Sequence, residues 1–246
     1  MVTIQQFHFS KADFKNIPKD DRALMFLAGH GLNGLGVWMK LLRLATNHPD
    51  DGSLEFRMSS AQSQMLLRSL CGALVETWEW IKRPDSQRLI GLTYLARMEP
   101  EPVEAYAALK KHFGSSGLLH SLRNQSAFHF PHTEHVEKAF CAVAEDEDWS
   151  WYPSDTHVNS FYWSCEMVVG HAATQLTGQA DSAAAFARIA GDMIIVANNL
   201  GDFLSGLLAA VVRSHVPARP EQTVDLEAKG LPNARDFRLP FFTEGF

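Results

Sequence analysis

Residues 180–215 decide the fold, and their sequence is ADSAAAFARIAGDMIIVANNLGDFLSGLLAAVVRSH. Apolar residues recur there at intervals of three and four, which is the period of an α-helix. The apolar face of this helix carries Phe186, Ile189, Met193, Val196, Leu200, Phe203, Leu207 and Val211. A membrane span needs roughly 20 nearly uninterrupted apolar residues, whereas polar residues such as Arg188, Asp192 and Asp202 interrupt this stretch. We therefore predict a long helix that is buried in a protein core, and no membrane span.

The same period extends through most of the chain and predicts further helices. They lie at about 21–46, 60–82, 102–112, 118–129, 132–144 and 155–176. The helices at 21–46 and 60–82 could form an antiparallel pair. The predicted fold class is all-α, an antiparallel helical bundle with additional long C-terminal helices and an irregular C-terminal tail.

Length and composition favour one domain over residues 1–246. With 246 residues, 46% of them hydrophobic, the chain is large enough to bury a proper core. We expect an extended segment at 1–20, the bundle core at 21–144, two long helices within 155–215 and the irregular tail at 216–246. Proline residues punctuate that tail, although its phenylalanines, including Phe246, suggest that it packs back onto the bundle.

Four glycines interrupt the first predicted helix at Gly29, Gly31, Gly34 and Gly36. Each costs about 1 kcal/mol of helix propensity against alanine. We expect either tight packing against a neighbouring helix or a local break at this point.

Charge and cysteine content exclude several classes of protein. A formal net charge of −6 argues against indiscriminate binding to nucleic acid or anionic lipid, which requires a broad basic surface. The three cysteines, Cys71, Cys141 and Cys165, are widely separated and predict neither a disulfide framework nor a thiolate zinc site. The N-terminal sequence lacks the pattern of a secretion signal. We therefore expect a cytoplasmic protein with reduced thiols.

One segment suggests chemistry, and it runs from Arg123 to His129 with the sequence RNQSAFH. Arginine offers a permanent cation with forked donors that suit a phosphate, and histidine exchanges a proton near neutral pH. Together they suffice for metal-free RNA cleavage, in which the ribose 2′-hydroxyl attacks its own phosphorus. On an ideal helix the two side chains point roughly 120° apart. Fraying before Pro131 or a twofold dimer would have to bring them together.

This segment resembles the signature of the HEPN superfamily, an arginine followed by a polar residue and, after a gap of four to six residues, a histidine. Arg123, Asn124 and His129 match it with a gap of five. The surrounding sequence, HSLRNQSAFHF after LKKHFGSSG, is also similar to HEPN-type proteins of abortive-infection and toxin modules. The resemblance implies a helical, commonly dimeric, metal-independent endoribonuclease. It also implies Arg123 as phosphate binder, Asn124 as support and His129 as acid or base.

The resemblance also implies binding partners for the protein, and it implies no cofactor. RNA is the expected substrate, a second copy of the chain is the expected partner, and an antitoxin or a nucleotidyltransferase is a further candidate partner. Lys110 and Lys111 form a small basic patch that can guide RNA. Glu76 and Glu79, on an otherwise apolar helix, can line a cleft near the motif, although such residues more often lie at the edge of a buried face.

Other interpretations remain open. His129, His132 and His135 fall at every third residue, but Pro131 breaks the helix between them, so we predict a solvated turn and no metal site. The chain can also be a non-catalytic helical binding or dimerisation protein, because no second motif accompanies the first. A helical bundle that binds a small molecule or a metal ion is the third alternative.

Overall fold

The structure is a computed structural model, and it describes residues 2–48, 52–114, 117–127, 129–179, 181–217, 223–228, 230–231 and 233–244. Its described residues are predominantly helical, which confirms the all-α fold class. The α-helices are α1 (Lys11–Lys15), α2 (Lys19–Ala45), α3 (Leu54–Ile81), α4 (Pro84–Leu89), α5 (Pro100–Phe113), α6 (Leu118–Leu122), α7 (Thr133–Ala142), α8 (Trp163–Gln175) and α9 (Ser182–His215). Short π-helical segments follow α4 and α6, at Ile90–Tyr94 and Arg123–Ala127.

Two strands pair where the sequence predicted only extended or irregular chain. Strand β1 (Val2–Phe7) lies antiparallel to β2 (Thr223–Ala228), in the register that pairs Val2 with Ala228 and Phe7 with Thr223. The prediction of an irregular tail from residue 216 was therefore wrong at β2. The two segments are far apart in the chain, so local periodicity could not show that each supplies the other's hydrogen bonds. The expected packing of Phe246 lies outside the described residues.

The helix predicted at 155–176 begins later, at Trp163. Tyr152 and Phe161 exchange backbone hydrogen bonds of 2.6 and 2.9 Å, which form an isolated antiparallel bridge. The hydroxyl of Ser160 also accepts a hydrogen bond from the backbone N–H of Ser154 over 3.0 Å. These contacts hold residues 152–161 in a loop, because the backbone groups that they use are not available to a helix.

The segment after α3 is helical, although no helix was predicted between residues 82 and 102. Pro84 is the first residue of α4, a position at which the missing N–H of proline costs nothing. The chain then continues through the π-helical segment to Tyr94 and a 3₁₀ turn at Leu95–Arg97. A proline can thus end one helix and begin the next within three residues.

Contacts group the chain into two compact units. Unit 1 comprises Met1–Gly34, Thr77–Lys111 and Asn198–Asn233, and unit 2 comprises Leu35–Glu76, His112–Ala197 and Ala234–Phe246. Whether these units act as the single domain expected from the sequence stays a prediction.

Unit 1 has an aromatic core. The rings of Tyr106 and Phe203 stack with centroids 4.7 Å apart, and Trp78 lies 6.1 Å from Tyr106. The fully buried hydroxyl of Tyr94 lies 3.1 Å from Nε2 of His215. Burial and the neighbouring carboxylate of Asp21 raise the pKa of Tyr94 well above its ordinary value.

The glycine-rich part of α2 is continuous helix, so the expected local break is absent there. Only Gly31 lies against a neighbour: a methyl group at this position would lie 3.4 Å from Thr77 and 3.5 Å from Leu204. Gly29, Gly34 and Gly36 face open space. The distances at Gly31 are ordinary van der Waals contacts, so the expectation of packing tight enough to require glycine fails at all four positions.

Helix α9 carries the apolar face predicted for it. Ile189, Met193 and Val196 are buried in unit 2, and Leu200, Phe203, Leu207 and Val211 are buried in unit 1. Of the described helices, α9 alone is long and apolar enough to cross a bilayer, and 44% of its most apolar window is buried inside the protein. Core helices of soluble proteins have the same length and composition. The length and composition of α9 are therefore compatible with the prediction of a buried core helix.

Candidate functional site

The Arg123 to His129 segment does not continue α6. The α-helix ends at Leu122, and Arg123–Ala127 form a π-helical turn. Within that turn the hydroxyl of Ser126 donates a 2.9 Å hydrogen bond to the carbonyl of Leu122. Such a bond competes with the regular helical ladder. The predicted helix to residue 129 was therefore wrong in its last turn, and the 120° angle of an ideal α-helix does not apply.

The guanidinium group of Arg123 is held from two sides. Its Nε donates a 3.1 Å hydrogen bond to Oε1 of Glu76, on α3, and its Nη2 also contacts that oxygen. Its Nη1 donates a 2.9 Å hydrogen bond to Oδ1 of Asn124. A guanidinium has five N–H donors, so one N–H on each terminal nitrogen has no partner among the described residues. These two donors remain available to phosphate oxygens.

Solvent reaches this site. The side chain of Arg123 is 30% exposed and that of Glu76 is 49% exposed. Asn124 and His129 are exposed as well, and the imidazole of His129 makes no hydrogen bond to a described residue. His129 lies in a bend after the π-helical turn, and Phe128, which precedes it, lies outside the described residues. Next comes Phe130, which is 98% exposed.

A buried cysteine lies beneath the motif. The thiol of Cys71, on α3, is 3.4 Å from the carbonyl oxygen of Leu119, on α6. Burial raises the pKa of the Cys71 thiol to about 12, although a hydrogen bond with the backbone of Arg123 acts in the opposite direction. Cys141 and Cys165 are exposed and unpaired. Cys71 is therefore an inert packing residue that ties α3 to the start of the motif.

The two lysines predicted to bind substrate belong to a different unit from the motif. Lys110 and Lys111 are exposed residues of α5 in unit 1, while Arg123, Asn124 and His129 are in unit 2. The ammonium group of Lys110 lies 4.8 Å from the ring centroid of Tyr106, in a cation–π contact. Their role in guiding RNA stays a prediction.

The histidines after the motif do not form a metal centre in the described part of the chain. There, no group of three His, Cys, Asp or Glu side chains is arranged to hold a metal ion. His132 precedes α7 as its N-cap, and its ring contacts that of His135 with centroids 6.0 Å apart. Nδ1 of His135 is buried without a hydrogen-bond partner in the described residues.

Two features of this site were not predicted clearly from the sequence: the pairing of Glu76 with Arg123, and the π-helical turn. Glu76 was one of several acidic residues that could line a cleft, and nothing in the sequence singled it out as the partner of Arg123. The partners are 47 positions apart, and only the packing of α6 on α3 brings them together. The π-helical turn was not predicted, although Ser126 offered a signal, because serine hydroxyls commonly bond to the carbonyl four residues earlier.

Comparison of the chain with protein-family models, with curated proteins and with solved structures gives no match. The resemblance to HEPN proteins therefore rests on the motif, and what it implies remains a proposal.

Proposed function

We propose that the protein is a HEPN-like, metal-independent endoribonuclease. The observation that carries the proposal is the guanidinium of Arg123, fixed by Glu76 and Asn124 with two donors left over, shortly before an exposed histidine. A fixed pair of donors lowers the entropy cost of binding a phosphodiester. π-Helical turns are rare and occur often at functional sites, and this one begins at Arg123.

In this proposal each side chain has one task. Arg123 binds the scissile phosphate and stabilises the charge that develops on its oxygens. Asn124 orients the guanidinium together with Glu76. His129 removes the proton from the ribose 2′-hydroxyl or protonates the departing 5′-oxygen, since an imidazole can serve as a base or as an acid. The reaction leaves a 2′,3′-cyclic phosphate and a 5′-hydroxyl.

The cleavage reaction needs both a general base and a general acid, so a site with two histidines catalyses it more effectively than a site with one. A twofold dimer supplies the second His129, so we propose that the active form is a homodimer with two copies of the motif in one cleft. The lysine pair at 110 and 111 would guide RNA. A toxin or phage-defence role in the cytoplasm, with an antitoxin or nucleotidyltransferase as partner, follows from the same resemblance.

Exposed Phe130 extends the proposed site. A fully exposed phenylalanine beside an acid–base histidine offers a flat surface on which a nucleobase can stack. It would hold a single-stranded region of RNA next to His129 without selecting its sequence.

The experiment that tests this function is cleavage of single-stranded RNA by purified protein in the presence of EDTA. The expected products end in 2′,3′-cyclic phosphates, which can be recognised because acid opens them to a mixture of monophosphates. Products with 3′-hydroxyl ends, or cleavage that requires a divalent ion, would contradict the proposal.

A second function is favoured by one observation, a run of partly exposed aromatic rings in unit 1. Phe7, Phe9, Phe14 and Phe26 contact each other in sequence, with centroids 5.3 to 6.5 Å apart, and Phe7 and Phe26 are more than half exposed. Such a surface suits a non-catalytic protein that docks a partner or dimerises. Growth of cells that express the protein distinguishes the two functions. An endoribonuclease toxin should arrest growth, whereas a binding protein without activity should not.

A further inference from the structure

Unit 2 contains a cavity of about 690 Å³. Small-molecule sites commonly have volumes of roughly 300–1,000 Å³. Its walls come from α3, α8, the first turns of α9 and the residues that follow α2 and α7. None of the motif residues lines it, so it is separate from the proposed nuclease site.

Helix α3 presents a polar stripe to this cavity. Ser59, Ser60, Ser63 and Gln64 all line it, and their spacing places them on one face of the helix. Ser59 donates to the carbonyl of Ala45. Ser63 is only 4% exposed, and neither its hydroxyl nor the amide of Gln64 makes a hydrogen bond to a described residue. Ser63 is buried and Gln64 is half-buried. Polar groups at the wall of a cavity that make no bond within the described residues are suited to receive a ligand.

Two residues of the lining carry a buried ring nitrogen without a partner in the described residues, Nε2 of His48 and Nε1 of Trp163. A buried donor or acceptor without a hydrogen bond costs about 1–3 kcal/mol. These nitrogens have almost no accessible surface, so the groups that can bond a ligand directly are the hydroxyl of Ser63 and the amide of Gln64, which supply both donors and acceptors. Convergent unpaired groups of this kind are characteristic of ligand sites.

The rest of the lining favours a planar, uncharged ligand. Phe56, Trp163 and Phe186 contribute aromatic rings, on which a heteroaromatic ring can stack. The carboxylate in the lining is that of Glu147, and the basic side chains are the imidazoles of His48 and His171. A carboxylate repels phosphate groups, so this lining disfavours a nucleotide relative to the corresponding nucleoside.

Because Gly170, on α8, has no side chain, the amide of Gln64 occupies the space that a side chain at this position would fill. A methyl group at Gly170 would overlap Oε1 of Gln64. Because that oxygen is at the end of a flexible side chain, substitution at Gly170 would move the amide without disrupting the fold. The glycine therefore leaves room for a hydrogen-bonding group at the cavity wall.

We propose that this cavity binds an uncharged heteroaromatic molecule of the nucleoside class. Its ring stacks on the aromatic wall, and its polar edge bonds to Ser63 and Gln64. The inference does not depend on the nuclease proposal, since it uses none of the same residues.

The test is isothermal titration calorimetry of the full chain with adenosine, guanosine, cytidine, uridine and the four corresponding 5′-monophosphates as probes. At least one nucleoside should bind, and its monophosphate should bind more weakly. Ser63→Leu, which replaces the hydroxyl by a larger apolar side chain, should weaken binding by at least about tenfold, equivalent to about 1.4 kcal/mol. Ser69→Ala, on the same helix but outside the lining, should change affinity by less than about twofold.

Two further variants keep the test decisive. If Ser63→Leu does not give a cooperative thermal transition, Ser63→Ala, which removes only the hydroxyl, replaces it, and we expect about a two- to tenfold loss of affinity. Gly170→Ala should keep its melting temperature and lose affinity, because only the amide of Gln64 moves. The proposal is overturned if no nucleoside binds, if the monophosphates bind as tightly as the nucleosides, or if the lining variants bind like the unmodified chain.

Discussion

The carboxylate of Glu76 accepts a 3.1 Å hydrogen bond from Nε of Arg123 and so fixes the first residue of the motif to α3. Both partners are partly exposed, and exposed ion pairs of this kind contribute only about 0.2–1 kcal/mol to stability. The contact therefore matters more for where the guanidinium points than for how stable the fold is.

Glu76→Gln tests that view. The variant removes a charge that competes with phosphate and loosens the guanidinium, so in the proposed nuclease both KM and kcat should fall, each by about two- to fivefold. Cleavage rates at varied RNA concentration measure the two effects separately. Glu79→Gln is the matched control, because Glu79 pairs with Lys82 one turn along α3. If Glu76→Gln leaves both constants unchanged, Glu76 has no positioning role.

Phe130→Ala should weaken RNA binding by about fivefold or more, since stacking of one base on an aromatic ring contributes about 1–3 kcal/mol. Fluorescence anisotropy with a labelled single-stranded RNA measures the affinity. The control is Phe140→Ala, which removes another exposed phenylalanine whose ring contacts Trp149. Equal affinities for both variants and the unmodified chain would exclude Phe130 from the site.

Stability should fall at alkaline pH. Burial raises the pKa of Cys71 to about 12 and raises those of Tyr94 and Tyr106 above the ordinary value. When the folded state holds a proton that the unfolded state releases, stability is fully present below the unfolded pKa and is lost as pH rises through the folded pKa. Each group should lower the free energy of unfolding by up to about 1.4 kcal/mol per pH unit above about pH 9–10.

Urea unfolding at a series of pH values measures this effect. The free energy of unfolding attributable to these groups should be level below about pH 8 and decline beyond about pH 9–10. Tyr106→Phe should reduce the alkaline slope, because it removes one of the three groups. A free energy that rises over that alkaline range would contradict the assigned burial.

Gly206→Ala should destabilise the protein by about 1–3 kcal/mol, since a methyl group there would overlap the ring of Pro102, which cannot rotate away. At Gly191, also in α9, a methyl group would have no neighbour within 4 Å. Gly191→Ala should therefore stabilise the protein by up to about 1 kcal/mol. Thermal denaturation followed by circular dichroism gives both values. Equal shifts for the two variants would mean that α5 and α9 are not packed at Gly206.

Helices were predictable because their apolar residues repeat locally. The face of α9 from Ile189 to Val211 followed from spacing alone, and so did the existence of α2, α3, α5 and α7. Pairing between distant segments was not predictable in this way. Strands β1 and β2 depend on each other for hydrogen bonds, and the loop before α8 depends on the pairing of Tyr152 with Phe161.

The same distinction between local pattern and distant packing applies to the candidate site. Arg123, Asn124 and His129 stood out as a short local motif, whereas the partner Glu76 and the cavity lined by Ser63 and Trp163 arise only from packing. Ser63 is an instructive case. Its polar side chain on the buried side of a helix has no local explanation, and its surroundings become apparent only when α3 and α8 are placed together.

The central claim is that His129 performs proton transfer at a site fixed by Arg123, and one measurement tests it most directly. The rate of RNA cleavage in EDTA is compared among the unmodified chain, His129→Ala and the neighbouring His132→Ala, with circular dichroism to verify folding. Loss of general acid–base catalysis should lower the rate by about 10²–10⁴-fold in His129→Ala and leave His132→Ala close to the unmodified chain. Cleavage by His129→Ala at the unmodified rate would contradict the account.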